Sequence, residues 1–390
     1  MGGDHMTSFE GFEREDGTFG IRNHVAIIPS VVCSAVTARR IAESVKGAVA
    51  ISHDCGCAQI GEDKEQTFRV LSGLGKNPNV HSALVVSLGC EVIDAQELAD
   101  EIAKSGKEVE VVSIQEEGGT LRAIEKGMRI AKRMSEEASK QRRRSADISE
   151  LIVSTECGGS DWTSGIAANP SVGAAMDMVV EAGGTVILSE TTEFIGAEHL
   201  LAERGISEEV SRKIIEIVRR YEEEAMKMGE DIRGGNPSPG NIRGGLTTIE
   251  EKSLGAIHKG GHSRIVEVVE YAERPKKKGL VIMNTPGYDV ESVTGMVAGG
   301  SQIVVFTTGR GSPTGNPIAP VIKVTGNPRT YEKMKDNIDI NAGKILEGAS
   351  ISEVGREIFE EILRVSSGKL TKAEILGHDE IGIWRIGWSL

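Results

Sequence analysis

The chain has 390 residues, a net charge of −13, 26% charged residues and 39% hydrophobic residues, a globular composition whose length predicts two domains. The acidic balance argues against nucleic acid as a partner, because phosphate binding needs a basic face. No apolar run reaches the roughly 18–20 residues that span a bilayer, and residues 1–16, an N-terminal extension or cloning remnant, lack a signal peptide, so we expect a cytoplasmic protein with no membrane contact.

Residues 17–145 alternate strand-like and helical patterns. The predicted strands span 24–30, 48–53, 83–88 and 109–114, and the predicted helices span 34–45, 64–74, 95–105 and 119–144. Such alternation predicts a mostly parallel sheet covered by helices. The last helix loses its apolar stripe after Met134 and becomes highly charged. We place the domain boundary there, near Ser145, and interpret the charge run as a solvated helix end.

Residues 146–390 repeat the alternation and form a second predicted α/β domain. Its strands are predicted at 151–155, 185–189, 279–284, 302–307 and 321–324, and its helices at 197–204, 208–228, 247–259, 328–346 and 351–365. The segment "GNPSPGNIRGG" is too rich in glycine and proline for a helix. It predicts a long structured loop or lid, with a surface excursion as the alternative.

The five cysteines each stand just past a short strand-like run, where a predicted strand ends. They are Cys33, Cys55, Cys57, Cys90 and Cys157. An odd count in a chain of this length does not indicate a disulfide framework. Free cysteine is often a small buried hydrophobe, but the carboxyl ends of strands are also where α/β proteins bind ligands. Both interpretations are open, although "HDCGC" lacks the second pair of a zinc ribbon.

The strand-end loops of the second domain concentrate polar side chains at one predicted sheet edge. They read "ECGGSDWTSG", "SETTEFIGAEH", "NTPGYD" and "TTGRGS". We predict Cys157, Asp161 and Glu190 as metal ligands, with His199 nearby. A mixture of sulfur, nitrogen and oxygen ligands suits iron or zinc better than magnesium. The alternatives are a loop cap for Asp161 and a helix N-terminal charge for Glu190.

The same loops supply candidates for holding a small acidic substrate. An arginine fork can hold a carboxylate, which makes Arg310 a predicted catalytic group. The predicted substrate-binding residues are Ser160, Asn236, Arg243, Thr308 and Lys323. The chain lacks a dinucleotide fingerprint, a P-loop ending and a G-x-S-x-G elbow. The composition of these loops therefore favours metal-assisted chemistry on an acid over nucleotide chemistry.

Long motifs in the chain resemble the large domain of the altronate/galactarate dehydratase family. They include "ECGGSDWTSGIAANPSVGAAMD", "GGTVILSETTEFIGAEHLL", "NTPGYDVESVTGMVAGG" and "FTTGRGSPTGNPIAPVIKV", and the likeness runs over about residues 17–368. The family removes water from sugar acids to give 2-keto-3-deoxy acids and depends on iron. A close branch, the large subunit of sulfolactate sulfo-lyase, eliminates sulfite instead.

The resemblance implies a dimerising first domain, at 17–145, and a Rossmann-like metal and substrate domain, at 146–390, that binds Fe(II) or another divalent metal. It also implies a homodimer. Many members begin with a small SAF-type domain, and this chain resembles members in which that domain is a separate small subunit. We therefore expect such a partner.

Elimination of a leaving group β to a carboxylate needs a base for the α proton and charge stabilisation for the enediolate. His199 and Glu193 are our candidates for the base, and a divalent metal is suited to act as a Lewis acid. Three functions follow as hypotheses: a metal-dependent sugar-acid hydro-lyase, a sulfolactate sulfo-lyase large subunit, or a non-catalytic scaffold subunit.

Overall fold

A computed structural model describes residues 7–235 and 237–390. Its strands are β1 (Ser8–Glu13), β2 (Phe19–Gly20), β3 (His24–Pro29), β4 (Ala48–Ala50), β5 (Val80–Ser87), β6 (Val109–Ser113), β7 (Arg144–Asp147), β8 (Ile152–Cys157), β9 (Thr185–Leu188), β10 (Ile265–Val269), β11 (Gly279–Met283), β12 (Ile303–Thr307), β13 (Val321–Thr325) and β14 (Ile340–Asn341). Its helices are α1 (Ala35–Glu43), α2 (Gly61–Lys76), α3 (Ala95–Ala103), α4 (Thr120–Lys140), α5 (Asn169–Glu181), α6 (Glu198–Ala202), α7 (Glu208–Lys227), α8 (Ile232–Gly235), α9 (Pro239–Arg243), α10 (Ile249–Ala256), α11 (Asp289–Ala298), α12 (Pro328–Lys333), α13 (Ile351–Ser366) and α14 (Lys372–Leu376).

The first parallel sheet has the strand order β4-β3-β5-β6. Its central strands are apolar on both faces because helices cover both sides. Val25 and Ile27 of β3 belong to a core with α1 and α4, whereas Ala26 and Ile28 belong to a core with α2 and α3. This alternation is the two-residue period of a strand.

The second parallel sheet has the strand order β10-β11-β9-β8-β12-β13-β14. From β8 the chain moves outward through β9 in one direction, and from β12 it moves outward in the other. A topological switch point therefore lies between β8 and β12, where doubly wound sheets leave a crevice at their carboxyl edge. The predicted α/β class, with mostly parallel, helix-covered sheets and a Rossmann-like second part, is confirmed.

One hydrophobic core joins the two parallel sheets. Val304 and Phe306 of β12 share a buried cluster with Ile28 of β3. Helices α2 and α11 pack closely there at Gly73, which has no side chain. A Cβ added to Gly73 would lie 2.4 Å from the Ala298 carbonyl oxygen. A third, antiparallel sheet, β2-β1-β7, lies outside the sequence predictions. Within the described residues, no helix is long and apolar enough to cross a membrane.

Two predicted elements in the second half are wrong. The helix predicted over 328–346 stops at Lys333, and the chain returns to the sheet as β14. Ile338 and Ile340 are both buried, a two-residue period that indicates a strand. The loop after residue 236 also contains a helix, α9, which begins with Pro239 in its first turn and is capped by the Ser238 hydroxyl. The boundary near Ser145 stays a prediction.

Candidate active site

The switch point carries a buried glutamate at the carboxyl end of β8. Glu156 is fully buried, and its Oε2 accepts hydrogen bonds from the hydroxyls of Ser292 at 2.7 Å and Ser189 at 3.2 Å. Its Oε1 has no partner among the described residues. A buried carboxylate oxygen without a donor is costly, so this oxygen needs either a proton or a cation beside it.

A second buried glutamate lies beside it, just after β9. Glu190 adopts a left-handed backbone conformation with φ 68°, which is rare for a residue with a side chain. Its Oε2 accepts the backbone N–H of Cys157 at 2.8 Å and contacts Lys259 Nζ at 2.6 Å. Its Oε1 is likewise without a partner in the described part of the chain. The strained backbone conformation therefore occurs at Glu190, the residue that carries the second unpaired carboxylate oxygen.

Two lysines bring positive charge to this cluster. Lys259 is fully buried and contacts Glu190 at 2.6 Å and Glu193 at 3.4 Å. Lys252, at the edge of the cluster, pairs with Glu193 at 2.7 Å. Burial alone would raise the pKa of Glu193, but the two ammonium groups hold that pKa below its usual range. Glu193 is therefore ionised at neutral pH.

Asp289, the first residue of α11, completes a group of three carboxyls. One oxygen from each of Glu156, Glu190 and Asp289 lies within 4.8 Å of the others. Burial and the neighbouring carboxylates raise the pKa of Glu190 to about 8 and that of Asp289 to about 6, and hold the pKa of Glu156 well above its usual range. Like charges at this spacing do not all ionise, so without a cation the cluster retains protons.

The charge balance and the donor atoms fit a divalent cation. With Glu193, the cluster holds four carboxyl groups against two ammonium groups, so full ionisation leaves two negative charges in excess. A divalent cation would balance these two charges, and the unpaired oxygens of Glu156 and Glu190 could coordinate it. Three carboxylates form an all-oxygen donor set, which suits hard divalent ions. The sequence had predicted a mixed set that also contains sulfur and nitrogen ligands.

A pocket of about 750 Å³ opens onto this cluster. Glu193, Lys252 and Asp289 line it, together with Cys157 and the two glycines that follow. Burial raises the pKa of Cys157 to about 12, and its Sγ lies 3.1 Å from the hydroxyl of Ser160. The thiol is therefore protonated at neutral pH. The pocket offers an ionised carboxylate and an ammonium group to a ligand of small-molecule size.

Of the residues predicted as metal ligands, Cys157 and Glu190 lie together and Asp161 does not join them. The Asp161 carboxylate accepts the N–H of Thr163 at 2.9 Å and the side-chain amide of Asn327 at 2.8 Å. It therefore acts as a loop cap, the alternative interpretation. His199, predicted as a base, is exposed on α6 and does not line the pocket, whereas Glu193 does.

The predicted substrate-binding residues do not converge on one pocket. Arg243 and the predicted catalytic Arg310 line a second pocket of about 440 Å³ with Lys333, and Asp161 and Trp162, which directly follow Ser160, line it too. Thr308 is buried and accepts the N–H of Gly311 at 2.9 Å. Asn236 lies outside the described residues.

Lys323 lies away from both pockets, in the core. It is fully buried, with Nζ 4.7 Å from the centre of the Phe306 ring and donating to the Thr314 carbonyl. Burial lowers its pKa to about 8. The contacts of Lys323 are therefore internal to the protein.

Sequence reasoning missed four of the charged groups in the cluster. They are Glu156, Lys252, Lys259 and Asp289. Glu156 and Asp289 stood within the strand-end segments that were singled out, so their position was a usable signal. The lysines are seven residues apart, two helical turns, which places them on one face of a predicted helix. Nothing in the sequence alone reveals that this face is buried.

Known proteins match this chain along almost its whole length. The family model described as D-galactarate dehydratase/altronate hydrolase, second domain, matches residues 11–139, and that of D-galactarate/altronate dehydratase, C-terminal, matches residues 148–389. The chain is 40% identical to (2R)-sulfolactate sulfo-lyase subunit beta of Chromohalobacter salexigens, over 97% of both chains.

Two dehydratases are also similar. Altronate dehydratase of Bacillus subtilis is 35% identical over 98% of this chain and 78% of its own. Galactarate dehydratase (L-threo-forming) of Escherichia coli is 38% identical over 93% of this chain and 73% of its own. These relatives match both parallel sheets and the switch point between β8 and β12.

Proposed function

Because the chain belongs to the D-galactarate/altronate dehydratase family and is a hydro-lyase, we propose that it removes water from a sugar acid to give a 2-keto-3-deoxy acid. The observation that carries this proposal is the pocket in which ionised Glu193 and the Lys252 ammonium face the carboxyl cluster. A β-elimination needs a base for the proton α to the substrate carboxylate and positive charge for the developing enediolate. The pocket provides both.

We assign the base to Glu193 and not to His199. Glu193 is held ionised by two ammonium groups and lines the pocket, so its carboxylate is in the proton-accepting form and within reach of a ligand there. Lys252 lies 2.7 Å from it and supports negative charge that develops on the substrate carboxylate. His199 is exposed and outside the pocket wall, which leaves it without access to the same proton.

Glu156, Glu190 and Asp289 would hold a divalent cation, which we propose to be Fe(II) or another divalent metal. When bound, the cation would supply a Lewis acid for the leaving hydroxyl. The three carboxyls must then ionise, so cation binding displaces the protons that the cluster otherwise retains. Lys259 stays between Glu190 and Glu193 and limits the repulsion among the carboxylates.

The second candidate is elimination of sulfite from sulfolactate. It is favoured by the 40% identity, over 97% of both chains, to a protein named as the beta subunit of a sulfo-lyase. The same base and cation position serve both reactions, because the proton removed is α to a carboxylate in each. The choice depends on whether the pocket receives a sulfonate or a polyhydroxy chain.

The subunit name of that relative supports a multi-subunit assembly for this chain as well. We propose that it forms a homodimer and acts with a separate small SAF-type subunit. If the small subunit supplies groups to the pocket, activity requires both chains. The assay below therefore includes the candidate small subunit.

A substrate panel tests the proposed function. The chain is loaded anaerobically with Fe(II), with and without the small subunit, and 2-keto acid and sulfite are measured with aldonates, aldarates and sulfolactate. A keto acid without sulfite supports the sugar-acid hydro-lyase, and sulfite with pyruvate selects the second candidate. No product from any substrate, with iron bound and both subunits present, contradicts both and leaves the scaffold hypothesis.

A further inference from the structure

Three exposed thiols lie at the carboxyl edge of the first parallel sheet. Cys33 follows β3, Cys57 follows β4 and Cys90 follows β5, and these three strands are neighbours in the order β4-β3-β5. All three thiols are free and exposed. Since parallel strands end at the same edge, their loops meet there. None of the three belongs to the carboxyl cluster of the second sheet.

Hydrogen bonds hold the three loops against one another. The N–H of Val32 donates to the Cys55 carbonyl at 2.9 Å, and the N–H of Val92 donates to the Gly56 carbonyl at 3.1 Å. The segment that carries Cys57 therefore lies between the segments that carry Cys33 and Cys90. This arrangement holds the three loop backbones against one another before any ligand binds.

A partly buried carboxylate adds a further tie between two of the loops. The Glu91 carboxylate accepts the N–H of Cys90 at 2.9 Å and the hydroxyl of Ser30 at 2.5 Å. Ser30 stands at the end of β3, three residues before Cys33. The loop after β5 is thus fastened to the loop after β3 by a side chain that also accepts hydrogen bonds from three consecutive backbone donors, at residues 88–90.

The loop that carries Cys57 adopts an unfavourable backbone conformation. Gly56 has φ +98°, and a Cβ there would lie 2.2 Å from the Ser30 carbonyl oxygen. Ala58, directly after Cys57, has φ 54° despite its side chain. Such strain concentrates at functional sites. In the described residues only two other non-glycine residues share this conformation, and one of them is Glu190 of the carboxyl cluster.

Cys55 provides an internal contrast. It stands two residues before Cys57 in the same loop, yet it is buried in the core and its Sγ lies 3.6 Å from Asp54. Burial raises its pKa to about 12, so it remains a thiol. The loop therefore separates one core cysteine from one that is exposed at the same sheet edge as Cys33 and Cys90.

The three thiols do not all lie close enough for one ion. Across residues 7–235 and 237–390, the only group of three cysteine, histidine or acidic residues whose ligand atoms all lie within 4.8 Å is the carboxyl cluster. Thiolates on a single zinc ion would lie roughly 3.8 Å apart, given Zn–S bonds of about 2.3 Å. In an iron–sulfur cluster each thiolate binds a different iron, which requires a wider spacing.

We propose that Cys33, Cys57 and Cys90 bind an iron–sulfur cluster of the [4Fe–4S] type through their three thiolates. One iron is then left without a protein ligand and is open to an oxygen atom from a small anion. The site belongs to the first sheet and does not rest on the proposed function of the second. Its loss and the failure of that function are therefore distinguishable.

Anaerobic reconstitution of the full chain tests this site. The protein is treated with equal amounts of Fe(II) and Fe(III) and with sulfide, desalted, and analysed for bound iron, acid-labile sulfide and the electron paramagnetic resonance signal after reduction. We expect about four sulfides per chain in the wild type. Cys33→Ser, Cys57→Ser and Cys90→Ser should each reduce bound sulfide at least tenfold, with unchanged circular dichroism.

Cys55→Ala is the matched control, because it removes a thiol from the same loop without touching the proposed ligands. It should keep the wild-type sulfide content, and so should Glu156→Gln, which alters only the carboxyl cluster. Iron without labile sulfide in the wild type overturns the proposal. So does a wild-type sulfide content in all three serine variants, or a sulfide loss with Cys55→Ala equal to theirs.

Discussion

Replacing the buried ammonium group of the carboxyl cluster should destabilise the protein in a way that a second substitution repairs. Lys259→Met keeps the length and apolar stem of the side chain but leaves Glu190 without its contact at 2.6 Å. Breaking a buried ion pair costs about 3–5 kcal/mol, because one charge remains buried without a partner. We expect about 3 kcal/mol, near the lower limit, since Glu193 keeps Lys252 and Glu190 can take up a proton.

The double variant Lys259→Met/Glu190→Gln removes both charges and should recover at least about 2 kcal/mol of this loss. The amide oxygen that the second substitution introduces would still accept the N–H of Cys157. The measurement is urea unfolding of protein stripped of metal, at pH 7. Lys278→Met is the control, because Lys278 pairs with Glu150 at the surface and should change stability by less than about 0.5 kcal/mol. A loss below about 1 kcal/mol in Lys259→Met, or no recovery in the double variant, would refute this reasoning.

Three further predictions concern the cation site, the buried lysine and the contact between the sheets. Glu156→Gln should lower Mn²⁺ affinity at least about tenfold in calorimetry and reduce the protons released on binding; equal affinity would contradict the assigned ligands. Burial lowers the pKa of Lys323 to about 8 from 10.5, so the unfolded chain binds more protons between these values and stability should rise with pH across that window. Lys323→Met should abolish this rise in a denaturation series, and an unchanged slope would count against it. Gly73→Ala should cost about 1–3 kcal/mol in urea unfolding, because its Cβ would meet the Ala298 carbonyl; wild-type stability would refute the close contact.

The fold and the edge that carries the site could be predicted because both depend on local patterns. Alternating apolar runs and helical periods give a parallel sheet, and polar residues after each strand mark its carboxyl edge. The prediction of one sheet edge placed Cys157, Glu190 and Glu193 together, and they also lie together in the structure. The same logic gathered the cysteines of the first sheet.

The exact cluster could not be predicted because burial and pairing are tertiary properties. Asp161 and Glu156 are both acidic residues at the end of β8, yet the first caps a loop through Thr163 and the second faces the cluster. Lys259 looks like an ordinary surface residue of a helix, but it lies in the turn after α10, Ile257–Gly260, which packs against α5, β8 and β9 and buries the side chain. Lys323 is the opposite case. Its place in a strand of the second sheet suggested a contact with substrate, but its contacts are internal to the protein.

We propose the carboxyl cluster at the switch point as the catalytic centre, and Asp289→Asn tests this assignment most directly. Asp289 lines the pocket and belongs to the cluster, so the substitution removes a charge from the site while keeping its shape. Asp177→Asn is the matched control, because Asp177 does not line the pocket and its carboxylate pairs with His262 and Ser263. With the substrate identified by the panel, kcat/KM should fall at least about 100-fold in Asp289→Asn and less than about twofold in Asp177→Asn. A wild-type kcat/KM in Asp289→Asn would contradict the account.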